Sequence, residues 1–455
     1  MKRRDFLKTT GAIAGTGLVG MSVARGAQFK GDDVIRVGLV GCGGRGTGAI
    51  KQRLEVGDNI KVVAICDAFE EKAKNAFGML QSMKDQYKGK VTLSEDAVFS
   101  GFDSYRKVVD SCDQVLIATA PGFRPIHYKY AVEKGKHIFM EKPCCVDAPG
   151  FRMLMEANKM ADEKGLCVVV GLQRHYDPRY QAFMKLYREG KLGDLMYSRV
   201  YWNGSGIWER KRQENDTEMM YQMRNWYHFN WLCGDNICEQ HVHNIDVANW
   251  VHGKGDPLCH PVKANGMGGR QIRCFPRFKD SGHRWDHYFI EFTYADGTQC
   301  FSQCRQQAKC FNSLDEVFYG TKAYGKTVQS GEVWIKDRAE NTLWKYEGKA
   351  PNPFQEEHIA QAGFIREGKK VNNGWYGAVS SFTACFGRMA AMSGQELTWD
   401  DAVAKGKAEF PTDAALTWEK DPPVMPDKEP PVMPAAGDVL YENSVALPGI
   451  WKWSM

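Results

Sequence analysis

Two short stretches of the sequence carry side chains that could move a proton to or from a hydroxyl group. The first reads Glu239-Gln240-His241-Val242-His243-Asn244-Ile245-Asp246. On a continuous helix, Glu239 and His243 lie on one face because they are four residues apart, and Asp246 follows three residues later. An imidazole between two carboxylates forms an acid–base relay, in which Asp246 or Glu239 sets the tautomer of His243.

The second stretch is Glu141-Lys142-Pro143, directly after the apolar run 137–140. A lysine at the mouth of a nucleotide site has three donors and a pKa that partial burial and a nearby positive charge can lower. Lys142 can therefore exchange a proton with a substrate hydroxyl. Pro143 fixes the turn that holds Lys142. The alternative is an ordinary solvated lysine in a loop.

A glycine-rich turn could place a nucleotide beside Lys142. The β-branched run 34–40 leads directly into Gly41-Cys42-Gly43-Gly44-Arg45-Gly46, which is the GxGxxG pattern between a strand and a helix. The next apolar run, 62–66, ends at Asp67, whose carboxylate can accept hydrogen bonds from an adenosine ribose and would repel a 2′-phosphate. The pattern predicts NAD as the cofactor. The alternative is a glycine turn followed by an unrelated surface aspartate.

Alternating helical and apolar segments predict the fold that carries these stretches. We expect a helix over 70–80, a strand over 114–119, a helix over 126–133 and a strand over 137–140. This alternation indicates a doubly wound parallel sheet of the α/β class, with ligands beyond the carboxyl ends of its strands. In the second half, strands at 288–294 and 298–303 flank the turn Ala295-Asp296-Gly297, which predicts an antiparallel hairpin.

Four regions follow from these patterns. Residues 1–27 are predicted to be an export signal, 28–150 an NAD-binding Rossmann domain, 151–403 a substrate-binding α+β domain, and 404–455 a proline-rich C-terminal arm. In the arm, Pro-Pro-Val-Met-Pro occurs at 422–426 and again at 430–434, which excludes a helix and predicts an extended segment. Its apolar end, 447–453, is expected to dock on this subunit or a neighbour.

The N-terminus resembles a twin-arginine signal, because Lys2-Arg3-Arg4 precedes a mildly apolar, glycine-bearing run that is too short to span a membrane. This predicts a periplasmic protein, and a disordered basic N-terminus is the alternative. Without residues 1–27 the net charge falls from +5 to about +1, so we expect no nucleic-acid surface. Most of the 14 cysteines lie in apolar runs, as Cys66, Cys167 and Cys385 do, and are expected to be free buried thiols.

Several motifs together are similar to those of the glucose–fructose oxidoreductase, inositol dehydrogenase and MocA family. They cover most of residues 33–403 and comprise the glycine turn, Asp67, Ala118–Pro121 with His127, Gly135–His137, Glu141–Pro143, Val170–Arg174, Asn352-Pro353, Trp375–Gly377 and Gly387-Arg388. The resemblance implies a Rossmann domain followed by a domain with a large, mainly antiparallel open sheet whose outer face joins subunits. It also implies an NAD site that includes Thr119, His127 and Glu141, with Lys142 beside the nicotinamide.

The sequence departs from that family at two positions. The family usually has aspartate where this chain has Glu239, and a small residue where it has His241. Glu239, His241 and His243 could instead bind a divalent metal. We expect no metal, because the family's chemistry does not require one and no further ligand is identifiable.

The segment 196–251 is dense in aromatic residues, most of which are expected to fill one face of a sheet. A few suit the C–H faces of a sugar, and we expect Trp202, Trp226, Arg174 and His241 to hold the substrate. The sequence therefore predicts an exported oxidoreductase that moves a hydride between tightly bound NAD and a secondary alcohol of a sugar, glycoside or cyclic polyol. The alternatives are an NAD-dependent glycoside hydrolase, which works by transient oxidation and elimination, and a non-catalytic sugar-binding module.

Overall fold

The structure is a computed structural model that describes residues 27–57, 59–271, 282–411 and 415–425. The predicted export signal, apart from Ala27, lies outside these residues. The second proline repeat and the apolar end of the arm, 447–453, also lie outside them. Two sheets organise the described chain, and the predicted fold class is confirmed.

The first sheet is parallel, with strand order β3-β2-β1-β4-β5-β6. Its strands are β1 (Ile35–Val40), β2 (Ile60–Asp67), β3 (Val98–Ser100), β4 (Gln114–Ile117), β5 (His137–Met140) and β6 (Val168–Val170). The helices between them are α1 (Gly44–Glu55), α2 (Glu70–Ser82), α3 (Tyr105–Ser111), α4 (Arg124–Glu133) and α5 (Ala148–Lys164). The strand order reverses between β1 and β4, which is where ligands bind in doubly wound sheets.

The parallel sheet continues past residue 150. Helix α5 is capped by Asp147, whose carboxylate accepts a hydrogen bond from the Gly150 N–H, and it ends at Gly165, whose φ of +67° suits glycine. Strand β6 then pairs with β5. The predicted domain boundary at residue 150 is therefore too early for this sheet.

The second sheet has nine strands in the order β14-β13-β12-β11-β7-β10-β9-β8-β15 and is mainly antiparallel. The strands are β7 (Leu195–Gly204), β8 (Lys263–Gly269), β9 (His287–Thr293), β10 (Gln299–Gln306), β11 (Ser313–Gly320), β12 (Tyr324–Val328), β13 (Trp334–Lys336), β14 (Thr342–Lys345) and β15 (Leu397–Thr398). Only β7 and β10 pair in parallel among these described strands. The predicted hairpin is β9 and β10, shifted by one residue at the first strand.

Eight helices of the described chain accompany the second half. They are α6 (Pro178–Arg188), α7 (Glu218–Arg224), α8 (Asn230–Cys233), α9 (Asp235–Glu239), α10 (Val242–His252), α11 (Pro353–Arg366), α12 (Gly374–Ser393) and α13 (Trp399–Lys405). Helix α12 is buried along most of its length and lies between α5, α10 and the inner face of the second sheet.

One apolar core joins the two sheets. Ile117 and Met140 of the first sheet, Phe382 of α12, and Val200 and Phe292 of the second sheet belong to the same buried cluster. Burial of each such side chain contributes about 1.5–3 kcal/mol. The strand ends of the first sheet are thereby held against the inner face of the second sheet.

The thiols follow the sequence expectation. Every cysteine in the described ranges is free, and all except Cys259 and Cys310 are buried. Among the described helices, none is long and apolar enough to cross a bilayer.

Candidate functional site

The glycine turn leaves open space where a dinucleotide's phosphates could lie. A Cβ on Gly41 would come within 2.7 Å of the Ala118 backbone, and one on Gly46 within 1.9 Å of the Gly41 carbonyl oxygen. A Cβ on Gly43 or Gly44 would meet nothing within 4 Å. Helix α1 starts here without a side-chain cap, so its first N–H groups are available to an anion. These residues fit a pyrophosphate.

A cavity of about 370 Å³ opens at the carboxyl ends of β1, β2 and β4. Asp67, Thr119 and His127 line it, as predicted for a nucleotide site. The two oxygens of Asp67 accept hydrogen bonds from the N–H groups of Cys42 at 2.8 Å and Phe69 at 3.0 Å, and burial raises the pKa of this carboxyl. Burial lowers the pKa of His127 to about 3, so its ring is neutral beside Thr119.

Arg45 is held by carboxylates. Its Nε lies 2.5 Å from Oε1 of Glu141, and Nη2 lies 3.3 Å from Oε1 of Glu357. Burial and the nearby charge of Glu141 raise the pKa of Glu357 well above its usual range. Glu357 was missed in the sequence because it comes from α11, more than 300 residues after Arg45, and no local motif marks it.

Lys142 and Glu239 form a buried ion pair between the two halves of the chain. Nζ of Lys142 lies 3.0 Å from Oε1 of Glu239 and also donates a short hydrogen bond to the Glu239 carbonyl oxygen. Their side chains are only 11% and 7% exposed. The Lys142 loop is fixed from two sides, because Arg124 donates to the Pro143 carbonyl at 2.6 Å and Ser381 of α12 accepts from the Cys144 N–H.

The predicted continuous helix over 239–246 is wrong. Helix α9 ends at Glu239, and α10 starts at Val242. The His243 N–H, which would bond to the Glu239 carbonyl in an unbroken helix, bonds to the Gln240 carbonyl instead. The break leaves the Glu239 carbonyl available to Lys142.

His243 is close enough to Lys142 for the lysine's charge to lower the pKa of its ring, but neither Glu239 nor Asp246 is hydrogen-bonded to it. Its ring is 5.8 Å from that of Trp202, and its Nδ1 is buried without a hydrogen-bond partner. Burial, followed by the charges of Lys142 and Arg174, lowers the pKa of His243 well below its usual range. The imidazole is therefore neutral and can accept a hydrogen bond.

Asp246 is hydrogen-bonded to other residues and not to His243. Its Oδ2 lies 2.9 Å from Nε2 of His175, and its Oδ1 accepts a hydrogen bond from Ser380 at 2.9 Å. His175 is stacked between Trp250 and Tyr376, with ring centroids 4.2 and 4.0 Å away. The predicted role of Asp246 in orienting His243 is therefore wrong, because α10 turns this carboxylate toward His175.

Two predicted substrate ligands are engaged by the protein. Arg174 is buried, and its Nη1 donates a short hydrogen bond to Glu316 of β11, which also accepts from Asn244 of α10. His241 is fully buried, with its Nε2 2.7 Å from the Ser302 hydroxyl. Both side chains are buried, and the charge of Arg174 acts on His243. Nε and Nη2 of Arg174 and Nδ1 of His241 have no hydrogen-bond partner among the residues that the structure describes.

The two predicted tryptophans separate. Trp202 lies on the inner face of β7 beside His243, where a sugar could contact it. Trp226 instead lines the nucleotide cavity, together with Trp208, Arg210 and Arg224. The structure thus places Trp226 with the predicted nucleotide residues and apart from Trp202, because the segment after β7 folds back onto the first domain.

No group of three or more histidine, cysteine or acidic side chains in the described part of the chain is arranged to hold a metal ion. Nε2 of His241, one of the three candidate ligands, is hydrogen-bonded to the Ser302 hydroxyl. The site is thus built from Lys142, Glu239, His243 and Trp202.

A comparison with known proteins identifies a family match in the first part of the chain. Residues 35–172 match the model of the glucose–fructose oxidoreductase, inositol dehydrogenase and MocA family, described as an oxidoreductase family with an NAD-binding Rossmann fold. The prediction of NAD as the cofactor is confirmed by this match. The matched range also includes β6, in agreement with the sheet.

Individual relatives are more distant. The chain is 26% identical over 223 residues to the inositol 2-dehydrogenase/D-chiro-inositol 3-dehydrogenase of Lactiplantibacillus plantarum, an alignment that covers 48% of this chain and 52% of that protein. The chain thus spans about half the length of the curated relatives it matches.

Solved structures share the fold over most of the chain. The aldose–aldose oxidoreductase of Caulobacter crescentus, complexed with glycerol, superposes with a TM-score of 0.62 at 17% identity, covering 80% of this chain and 100% of that one. The UDP-N-acetylglucosamine 3-dehydrogenase of Acidithiobacillus ferrooxidans gives 0.57 at 15% identity, covering 79% and 98%. At these identities the likeness concerns the fold alone.

Proposed function

We propose that the protein is an exported NAD-dependent oxidoreductase that acts on a secondary alcohol of a sugar, glycoside or cyclic polyol. The observation that carries this proposal is the ion pair of Lys142 and Glu239 after strand β5 of the parallel sheet, with His243 near enough to feel the charge of Lys142. The names of the relatives, which are inositol and sugar dehydrogenases, support the substrate class. The predicted twin-arginine signal supports export.

NAD, when bound, supplies the hydride acceptor; the protein must handle the hydroxyl proton. Lys142 donates a hydrogen bond to Glu239 through Nζ, so the ammonium can give a proton to this carboxylate and the amine so formed can take the proton of the substrate hydroxyl. His243 is neutral, so its ring can accept a hydrogen bond from that hydroxyl. The proton therefore leaves the hydroxyl through Lys142 and Glu239.

Substrate binding relies on the inner face of the second sheet. Trp202 offers an apolar ring surface beside His243, which suits the C–H face of a pyranose or cyclitol ring. The buried side chains of Arg174 and His241 are held in place by Glu316 and Ser302. The arrangement favours a small polyhydroxylated ring.

Free NAD is scarce outside the cytoplasm, so we propose that the nucleotide stays bound and is recycled by a second substrate. The test is a panel of sugars, glycosides and cyclic polyols mixed with the NAD-loaded protein while NADH absorbance is followed. A compound that produces NADH on the protein, reoxidised by a second carbonyl compound, is the expected result. Release of an aglycone without net NADH change would identify a hydrolase instead.

A further inference from the structure

The nucleotide cavity has a wall that comes from the second domain. The roof segment, which we define as residues 205–229 between β7 and α8, contributes Trp208, Arg210, Met223, Arg224 and Trp226 to the cavity. These residues face the side formed by Asp67, Phe69 and Lys72 after β2, the side on which the adenosine of a dinucleotide lies. The cavity is therefore enclosed between two parts of the chain.

The roof segment is fastened to the first domain at this point. Nη1 of Arg224 lies 2.9 Å from Oε1 of Glu71, and its guanidinium lies 4.7 Å from the ring centroid of Phe69. Met223 belongs to the same buried apolar cluster as Phe69 and Phe123. Ionic and apolar contacts thus both cross the cavity's edge.

A second segment lies behind the roof. The strap, which we define as residues 415–425, contacts the roof through two hydrogen bonds at 2.6 Å, from Thr217 Oγ1 to the Trp418 carbonyl and from Gln222 Nε2 to the Val424 carbonyl. The Trp418 ring packs against Phe69 at 4.7 Å and Phe102 at 4.6 Å. Both phenylalanines line the cavity from the first domain.

We propose that the roof segment is a cofactor-binding wall that encloses the adenosine half of NAD, and that the strap holds this wall closed. The nucleotide then leaves only when the contacts of Trp418, Thr217 and Arg224 have opened, which slows its dissociation. This inference rests on the proposed function for its purpose, because a retained nucleotide suits an enzyme recycled by a second substrate. It concerns binding alone and can be tested without a sugar.

The full-length protein is loaded with NADH, and release is followed by NADH fluorescence after mixing with excess NAD. Wild type is expected to keep NADH through gel filtration. Trp418→Ala and Trp226→Ala are each expected to release it at least tenfold faster, because a tryptophan buries about 150–250 Å² of surface. Trp418→Phe, which keeps an aromatic ring, should restore slow release.

Trp344→Ala is the matched control, since Trp344 lies on β14 at the far edge of the second sheet. Equal release rates for wild type and Trp418→Ala would overturn the proposal, as would faster release in Trp344→Ala. If Trp418→Ala does not fold, Thr217→Val is compared with Thr217→Ser. The valine removes both the hydrogen bond to the Trp418 carbonyl and the one from the Met220 N–H, and is expected to speed release several-fold, whereas the serine hydroxyl can keep both. Slow NADH release without any sugar oxidation would contradict the proposed function but would agree with the proposed role of the roof segment.

Discussion

Nζ of Lys142 lies 3.0 Å from Oε1 of Glu239, although 97 residues separate them. The lysine follows the fifth strand of the parallel sheet, and the acid ends a helix of the second half. Their pairing joins the predicted cofactor side to the predicted substrate side.

Replacement of Lys142 by methionine should abolish the proton transfer and leave the nucleotide site intact. We expect the rate of hydride transfer to fall about 100- to 10,000-fold, with NAD affinity changed by less than threefold. Single-turnover NADH formation and NADH fluorescence titration measure the two quantities. Lys134→Met is the control, because Lys134 is exposed and its Nζ lies 3.5 Å from the exposed Asp110 carboxylate. A Lys142→Met protein with wild-type turnover would contradict the assignment.

Glu239→Gln should be less damaging than Lys142→Met. The amide cannot accept the lysine's proton, but the Glu239 carbonyl still holds Nζ. We expect turnover to fall roughly 10- to 100-fold, at the lower end of the effects seen for acid–base groups. Parallel kinetics of the two variants provide the comparison; equal losses would mean that the carboxylate does more than relay a proton.

The pH profile should lack an acidic limb at the usual histidine pKa. Burial, Lys142 and Arg174 all lower the pKa of His243, so the ring stays neutral well below pH 6.5. Arg174→Gln removes one of these charges, and an acidic limb should move to higher pH. The measurement is turnover against pH for both proteins; a wild-type limb at about pH 6.5 would show a protonated His243.

Stability should fall as the solution becomes acidic. Burial lowers the pKa of His252 to about 3, where its ring lies between Ser198 and Thr298. Between this value and the unfolded value of about 6.5, only the unfolded chain binds the proton, so unfolding becomes easier as pH falls. His252→Asn should flatten the slope by up to about 1.4 kcal/mol per pH unit. Urea unfolding of both proteins at several pH values tests this, and equal slopes would contradict it.

The Arg174–Glu316 pair should behave as a coupled unit. Glu316→Gln leaves a buried guanidinium without its counter-charge and should cost about 3–5 kcal/mol of unfolding free energy. The double variant Arg174→Met, Glu316→Leu should recover part of that loss. A double-mutant cycle by chemical denaturation gives the coupling energy, and simple additivity would contradict a direct interaction.

The sequence predictions that were confirmed depend on local patterns. The strand at His137–Met140 and the end of β2 at Asp67 follow from short apolar runs and the glycine turn. The fold class follows from their alternation. These features depend on residues near each other in the chain, where periodicity and turn chemistry are informative.

The predictions that failed depend on tertiary contacts. Nothing between Glu239 and Asp246 is a glycine or proline, so the break at Gln240 has no sequence signal. The bond from His175 to Asp246 and the pairing of Arg174 with Glu316 join distant segments. Trp226 could be placed only once the path of residues 205–229 was known. The arginines and tryptophans of residues 205–229 are the sequence signal that this segment contacts a ligand.

The interrupted helix gives Lys142 a hydrogen-bond partner that a substitution at position 239 does not remove. A main-chain oxygen at position 239 is present whichever amino acid stands there, so the ammonium keeps one fixed partner while the side chain is free to differ in length or charge. Lys142 therefore keeps this partner whether residue 239 is aspartate or glutamate. The side chain at position 239 can therefore be changed while Lys142 keeps its position.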